Sequence, residues 1–339
     1  MNGEGVELVF ADTGAPGITR RKCGRGWLYF SAEGTRITDP DQIRRLQSVA
    51  LPPAYRDCWY SPDPRAHIQA FGHDDKGRRQ YRYHPRYRAA RDDHKFELLL
   101  AFGNALPLLR RRILNDIAKG DPRTQIIASV VRLIDQTSLR VGNESYARRN
   151  RSYGATTLRK RHVKVTGHNL TLRFNAKGGT ATEIRLTDAR LARLARRCRD
   201  LPGQRLFSFC DGDAVRDVSS TDVNQYLQGL HDTPFTAKFF RTWAGSVAAF
   251  ETAAADPAAA TVTRMAMAAA RTLRNTPAIA RSAYIHPAIL AFDADALKAC
   301  RRPRATRYMR AAERHMLAYL ERVTGDNGMR NSISSGLQH

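Results

Sequence analysis

The apolar residues of this chain repeat at two different periods, and the change falls near residue 93. Before it, short runs such as Gly26-Trp27-Leu28-Tyr29-Phe30 and His67-Ile68-Gln69-Ala70-Phe71 alternate between turn-forming residues, as strands do. From Lys95 on, Phe96, Leu99, Leu100 and Phe102, then Ile126, Ile127, Val130, Val131 and Ile134, recur at three and four, as one face of a helix requires. With 339 residues the chain is long enough to bury two cores. The expectation is therefore an α+β protein: a β-rich N-terminal domain over residues 1–92 and a larger, mainly helical domain over 93–329. The polar residues 330–339 are expected to form a disordered tail.

Within the second domain the rhythm breaks between His162 and Leu186. Val163 and Val165 alternate, as do Leu170, Leu172 and Phe174, and after Lys177-Gly178-Gly179-Thr180 so do Ile184 and Leu186. This spacing predicts a small antiparallel sheet over about 162–186 with Lys177 at a hairpin tip. Helix resumes from Asp188 to Arg199 and over most of the chain beyond Thr221, with a break at Pro257. Thr276 is a good N-cap and Pro277 a good first helical residue, so Asn275 stands just before a short helix and Tyr284 about two turns along it. Pro287 limits how far that helix continues.

Charge narrows the partner. Lys and Arg number 56 against 32 Asp and Glu, a formal net charge of +24. A polyanion is the natural ligand, because cations laid against phosphates release condensed counterions. A membrane is a poor alternative: no run approaches the roughly 20 apolar residues needed to span one, and no secretory h-region opens the chain. The five cysteines (Cys23, Cys58, Cys198, Cys210, Cys300) are scattered without zinc or disulfide spacing, which fits reduced, cytoplasmic thiols. The ten histidines show no metal-ligand spacing either, and His286 is expected to be structural.

Five motifs in fixed order carry a resemblance. Gly77-Arg78-Arg79-Gln80-Tyr81-Arg82-Tyr83, Leu139-Arg140-Val141-Gly142-Asn143, the hairpin Lys177, Lys238-Phe239-Phe240-Arg241-Thr242-Trp243, and Asn275-Thr276-Pro277 followed by Ser282-Ala283-Tyr284 occur as they do in type IB DNA topoisomerases. The chain most resembles the compact poxvirus-type and bacterial forms, over nearly its whole length. The resemblance implies a monomeric, nucleoid-associated bilobed clamp around double-stranded DNA that needs no cofactor, metal or ATP. It implies Tyr284 as nucleophile, Arg140 and Arg241 on the nonbridging phosphate oxygens, Lys177 as general acid and Asn275 as a further donor. Arg78, Arg79, Gln80, Tyr81 and Tyr83 are the implied DNA contacts of the N-terminal domain. Arg148, Arg149, Arg151, Arg159, Lys160 and Arg161 form basic clusters suited to the phosphate backbone, which positions DNA without reading its sequence.

Elementary chemistry asks for the same residue types. A phenol is mostly protonated at neutral pH, the transition state gathers negative charge, and the leaving alkoxide is poor. Guanidinium forks answer the second difficulty and a lysine proton the third. Taken singly, Tyr284 reads as a packing residue and Lys177 as a solvated turn lysine; their order along the chain is what connects them. Two positions depart from the family. Asn275 stands where poxvirus-type enzymes carry His and bacterial relatives commonly carry Asn, so it binds phosphate without supplying a proton. Arg274 stands where the bacterial pattern favours Gly, and places a bulky cation near the site. A site-specific tyrosine recombinase and a non-catalytic basic DNA-binding protein are the competing expectations.

Overall fold

The alternating runs of the N-terminal region pair into one antiparallel sheet. In the computed structural model, which describes residues 7–75 and 77–335, the strands are β1 (Ile18–Cys23), β2 (Gly26–Phe30), β3 (Arg56–Tyr60), β4 (Ile68–His73) and β5 (Arg79–Tyr83), in the order β2-β1-β3-β4-β5. Between β2 and β3 lies α1 (Pro40–Ser48), started by Asp39, whose carboxylate accepts from the amides of Asp41 and Gln42. Leu46 of α1 packs with Ile18, Tyr29, Tyr60 and Ala70, and a smaller cluster of Trp59, Ile68 and Phe71 forms separately. The β4–β5 hairpin sets Phe71 opposite Tyr81 and His73 opposite Arg79.

The chain divides into two compact units, Met1–Lys95 and Phe96–His339, and the division falls inside α2 (Pro85–Lys119). The second unit continues with α3 (Pro122–Thr137), α4 (Glu144–Asn150), β6 (Val163–Thr166), β7 (Asn169–Asn175), β8 (Ala181–Thr187), α5 (Ala189–Asp200), β9 (Ser208–Asp211), β10 (Ala214–Asp217) and α6 (Ser220–Gln228). It ends with α7 (Ala237–Ala255), α8 (Val262–Leu273), α9 (Pro277–Tyr284), α10 (Pro287–Leu290), α11 (Ala294–Lys298) and α12 (Ala311–Ser335). The protein is thus α+β, a β-sheet region followed by a larger helical one. The three-stranded sheet β6-β7-β8 sits where the alternation placed it. The β9–β10 hairpin has no counterpart in the sequence reading, although Asp211-Gly212 at its turn, with Gly212 at a φ of 60°, is a hairpin signal. Residues 330–335 of the expected disordered tail instead continue α12, and residues 336–339 lie outside the described residues.

One apolar core runs through the helical unit, and Phe102, Leu106, Val130, Leu133, Ile134 and Phe235 are fully buried in it. A buried ion network stitches its helices. Arg110 donates to Asp135 and Glu313, each at 2.8 Å, and the Trp243 indole donates to Glu313 at 3.2 Å. Burial alone would raise the Glu313 carboxyl, but Arg110, through hydrogen bonds and charge, outweighs it and holds the group at about 2. No helix among the described residues is long and apolar enough to cross a membrane.

Candidate active site

The site is assembled from helix ends. The last turn of α3 is capped by Ser138 in the left-handed conformation, φ 56°, so its final carbonyls need partners from outside the helix. Arg241 supplies one. It lies on the first turns of α7, only 4 % exposed, and its terminal nitrogens donate to Ser138 O and, at 3.2 Å, to Leu273 O at the end of α8. Two residues past Ser138, the backbone of Arg140 is pinned, with Ala155 N donating to Arg140 O at 2.8 Å and Thr156 N to Val141 O at 2.7 Å. This approach needs glycine at 154, where a Cβ would lie 2.6 Å from Arg140 O.

The nucleophile arrives from the other side. After α8 the chain turns through Arg274, and Thr276 caps α9 as the sequence predicts, with Pro277 in its first turn. Tyr284 is the last residue of α9, half-buried. Its backbone lies directly on α7: a Cβ at Gly245 would stand 2.8 Å from Tyr284 O, and Ser246 Oγ donates to that same oxygen at 3.3 Å. The Arg241 guanidinium carbon stands 5.1 Å from the centre of the Tyr284 ring. Arg140 donates to Asn275 Oδ1, which fixes the amide orientation and leaves the buried Asn275 Nδ2 without an acceptor among the described residues.

A pocket of about 310 Å³ opens here, and Arg140, Lys177, Lys238, Arg241 and Tyr284 share its wall. Asn275 is joined to it through Arg140. Lys177 is exposed at the turn between β7 and β8, followed by Gly178 and Gly179 at φ 86° and 77°. The turn is closed by Gly179 N donating to Ala176 O at 3.0 Å. Burial would raise the Tyr284 phenol, but the charge and hydrogen bonding of Arg241, then Arg140 and Lys238, bring it below its ordinary value. Burial lowers the Arg241 guanidinium, yet it remains a cation. The structure therefore brings Arg140, Lys177, Arg241, Asn275 and Tyr284 together. It adds Lys238, whose signal in the sequence is its place one helical turn before Arg241 in Lys238-Phe239-Phe240-Arg241.

The proposed DNA contacts lie on several elements. Arg78 and Gln80 both bond to Asp74, at 2.7 and 3.0 Å. Arg79 stacks on Phe71 with its guanidinium carbon 3.8 Å from the ring centre, and Tyr81 and Tyr83 stack with centroids 6.0 Å apart. Arg148 pairs with Glu144 in the open, and Arg149, Arg151 and Arg161 are exposed. Arg159 donates to Gln204 at 2.8 Å, and the Lys160 ammonium is taken up by Leu201 O. His286 has the structural place expected of it, buried and accepting from Ala288 N at 3.1 Å as the cap of α10. No cluster of His, Cys, Asp or Glu that could hold a metal occurs among the described residues.

Comparison with known proteins gives the family. Residues 84–281 match the family described as eukaryotic DNA topoisomerase I, catalytic core, and residues 26–74 match the bacterial DNA topoisomerase IB N-terminal domain. A DNA topoisomerase 1B of Acanthamoeba polyphaga mimivirus is 28 % identical over 287 residues, covering 79 % of this chain and 85 % of that protein. The matched core contains Arg140, Lys177, Lys238, Arg241 and Asn275 and ends just before Tyr284. With more than half of the chain matched to the catalytic core, the chain belongs to the type IB DNA topoisomerase family and is a type I topoisomerase.

Proposed function

We propose that the protein relaxes supercoiled duplex DNA by cutting one strand through a 3′-phosphotyrosyl bond to Tyr284 and resealing it, with no metal and no nucleotide. The observation that carries this reading is the Asn275 amide: its oxygen is held by Arg140 and its buried nitrogen lacks an acceptor, beside a pocket shared by three more cations and a tyrosine. A buried donor left unpaired costs free energy, and a nonbridging phosphate oxygen is the acceptor that would satisfy it. Arg140 and Arg241 would hold the same phosphate and stabilise the charge that develops there.

In the forward step the Tyr284 oxygen bonds to phosphorus as the bond to the 5′ oxygen breaks. The phenol proton passes to solvent, eased by the lowered Tyr284 pKa, and Lys177 gives a proton to the departing 5′ oxygen. The phosphotyrosyl ester keeps the bond energy, so the 5′ hydroxyl attacks it in the reverse step without ATP. Torsion in the DNA drives the strand rotation between the two. Lys238 would add positive charge beside Tyr284.

The test is relaxation of positively and negatively supercoiled plasmid in EDTA without ATP. Wild type is expected to relax both signs. Tyr284→Phe is expected to form no covalent adduct and to bind DNA almost as before, because only the nucleophilic oxygen is lost. An absolute requirement for Mg²⁺, or an adduct on the 5′ side of the break, would contradict the reading.

A further inference from the structure

Arg274 occupies a position where a side chain is a liability. Its φ is 53°, in the left-handed region that helix C-termini usually give to glycine. The turn has the hydrogen bonds that such a cap requires, with Asn275 N donating to Ala270 O at 3.0 Å and Arg274 N to Arg271 O at 3.4 Å. Glycine would make the same backbone. What the arginine adds is at the far end of its side chain.

There Nη1 donates to Thr137 O, the last residue of α3, at 2.9 Å, and to Thr272 O in the last turn of α8 at 3.5 Å. Arg241 makes the same pair of connections one residue further along each helix, to Ser138 O and to Leu273 O. Two guanidiniums therefore bridge the same two helix ends. Both ends expose unsatisfied carbonyls and the negative pole of a helix dipole, which compensates the burial of two like charges side by side. The half-buried Arg274 guanidinium is indeed lowered by burial. It does not line the pocket, and its Nη1 is turned to the carbonyls of Thr137 and Thr272.

We propose that Arg274 is a positioning residue for the phosphate site: by tying α8 to α3 it sets the spacing between Asn275, the next residue after it, and Arg140, three residues beyond the end of α3. Arg241 holds the same joint from the pocket side, and the Arg140–Asn275 hydrogen bond is the contact that this spacing makes possible. A turn built on glycine would leave this joint to Arg241.

The inference rests on the reading of Arg140, Arg241 and Asn275 as phosphate ligands, and the experiment separates the two. Single-turnover cleavage and noncovalent affinity are measured for the full-length wild type, Arg274→Gly, Arg274→Lys and Tyr284→Phe. The substrates are a normal duplex and one with a methylphosphonate at the scissile position. Arg274→Gly suits the left-handed turn and is expected to fold, to keep its affinity, and to cleave the normal duplex roughly tenfold more slowly, since small misplacements of a positioned group are costly. Arg274→Lys, which can still reach Thr137 O, is expected to recover part of that rate. On the methylphosphonate, where one charged oxygen is gone, the difference between wild type and Arg274→Gly is expected to shrink toward unity, because coupled groups are not additive. A wild-type rate in Arg274→Gly, or an equal deficit on both substrates, overturns the proposal. Absence of an adduct from wild type, or its presence in Tyr284→Phe, instead overturns the reading of the site beneath it.

Discussion

Arg241 and Lys177 share one pocket wall and are built in opposite ways. Arg241 is 4 % exposed and fastened to the ends of two helices, whereas Lys177 stands exposed at a hairpin turn ahead of two glycines in left-handed conformations. The difference matches the work proposed for each. A group that stabilises charge on nonbridging oxygens is most effective when it does not reorganise during the reaction. A group that delivers a proton to a leaving oxygen must reach it when the DNA is bound, and an exposed turn lets it do so. Placement of function on an exposed turn carried by a rigid sheet is a common arrangement.

If that contrast holds, the two residues should fail differently. Tyr284→Phe gives the largest effect, loss of all covalent adducts on denaturing gels, and sets the floor for both. Arg241→Ala is expected to lose cleavage rate on the order of 10²- to 10³-fold, as for an oxyanion donor. It should also lower stability by about 1–3 kcal/mol, because Ser138 O and Leu273 O are left without their partner in the interior. Lys177→Ala should slow cleavage and leave the melting temperature unchanged, since its side chain is exposed. Equal destabilisation by both variants would break the comparison.

A smaller effect separates the pocket from the surface around it. Neutralising Arg148, Arg149 and Arg151 together is expected to reduce the slope of log affinity against log salt by about 0.9 for each phosphate that these cations neutralise, with the cleavage rate of bound DNA unchanged. An unchanged slope would place that cluster away from DNA. The smallest effect is on acid stability. His162 packs on the pocket residue Tyr153, with centroids 4.4 Å apart, and accepts from Arg159 N at 3.1 Å. Burial first, then the charges of Arg161 and Arg159, lowers its pKa to about 4. Its folded pKa is depressed, so its neutral form supports the fold above the ordinary histidine value. That support is lost as pH falls toward 4. Urea unfolding of wild type and His162→Gln between pH 7 and pH 4 measures it, and parallel curves would remove His162 from the account.

Much of the fold and the site is legible in the sequence for a physical reason. Alternation at Leu170, Leu172 and Phe174 and the glycines after Lys177 dictate a hairpin locally, and Thr276-Pro277 dictates where α9 begins. Local rules also place Asn275 and Tyr284 at the two ends of that helix. The joint between α3 and α8 is not legible, because it depends on carbonyls of residues 137, 138 and 273 meeting arginines far away in the chain. From the sequence Arg274 is only a bulky cation near the site, and its inward reach appears only in three dimensions. Lys238 stands within a motif but gains no role from it, since a lysine on the first turn of a helix is ordinarily solvated.

The most direct test of the division of labour replaces the scissile 5′-bridging oxygen by sulfur, a leaving group that departs without a proton. On normal DNA, Lys177→Ala is expected to cleave roughly 10²- to 10⁴-fold more slowly than wild type, the range for a positioned general acid. On the 5′-bridging phosphorothiolate it should recover most of that rate, while Arg241→Ala, which still lacks its charge at the nonbridging oxygens, should recover much less. Equal slowness of both variants on the sulfur substrate would contradict the assignment of Lys177 as the acid.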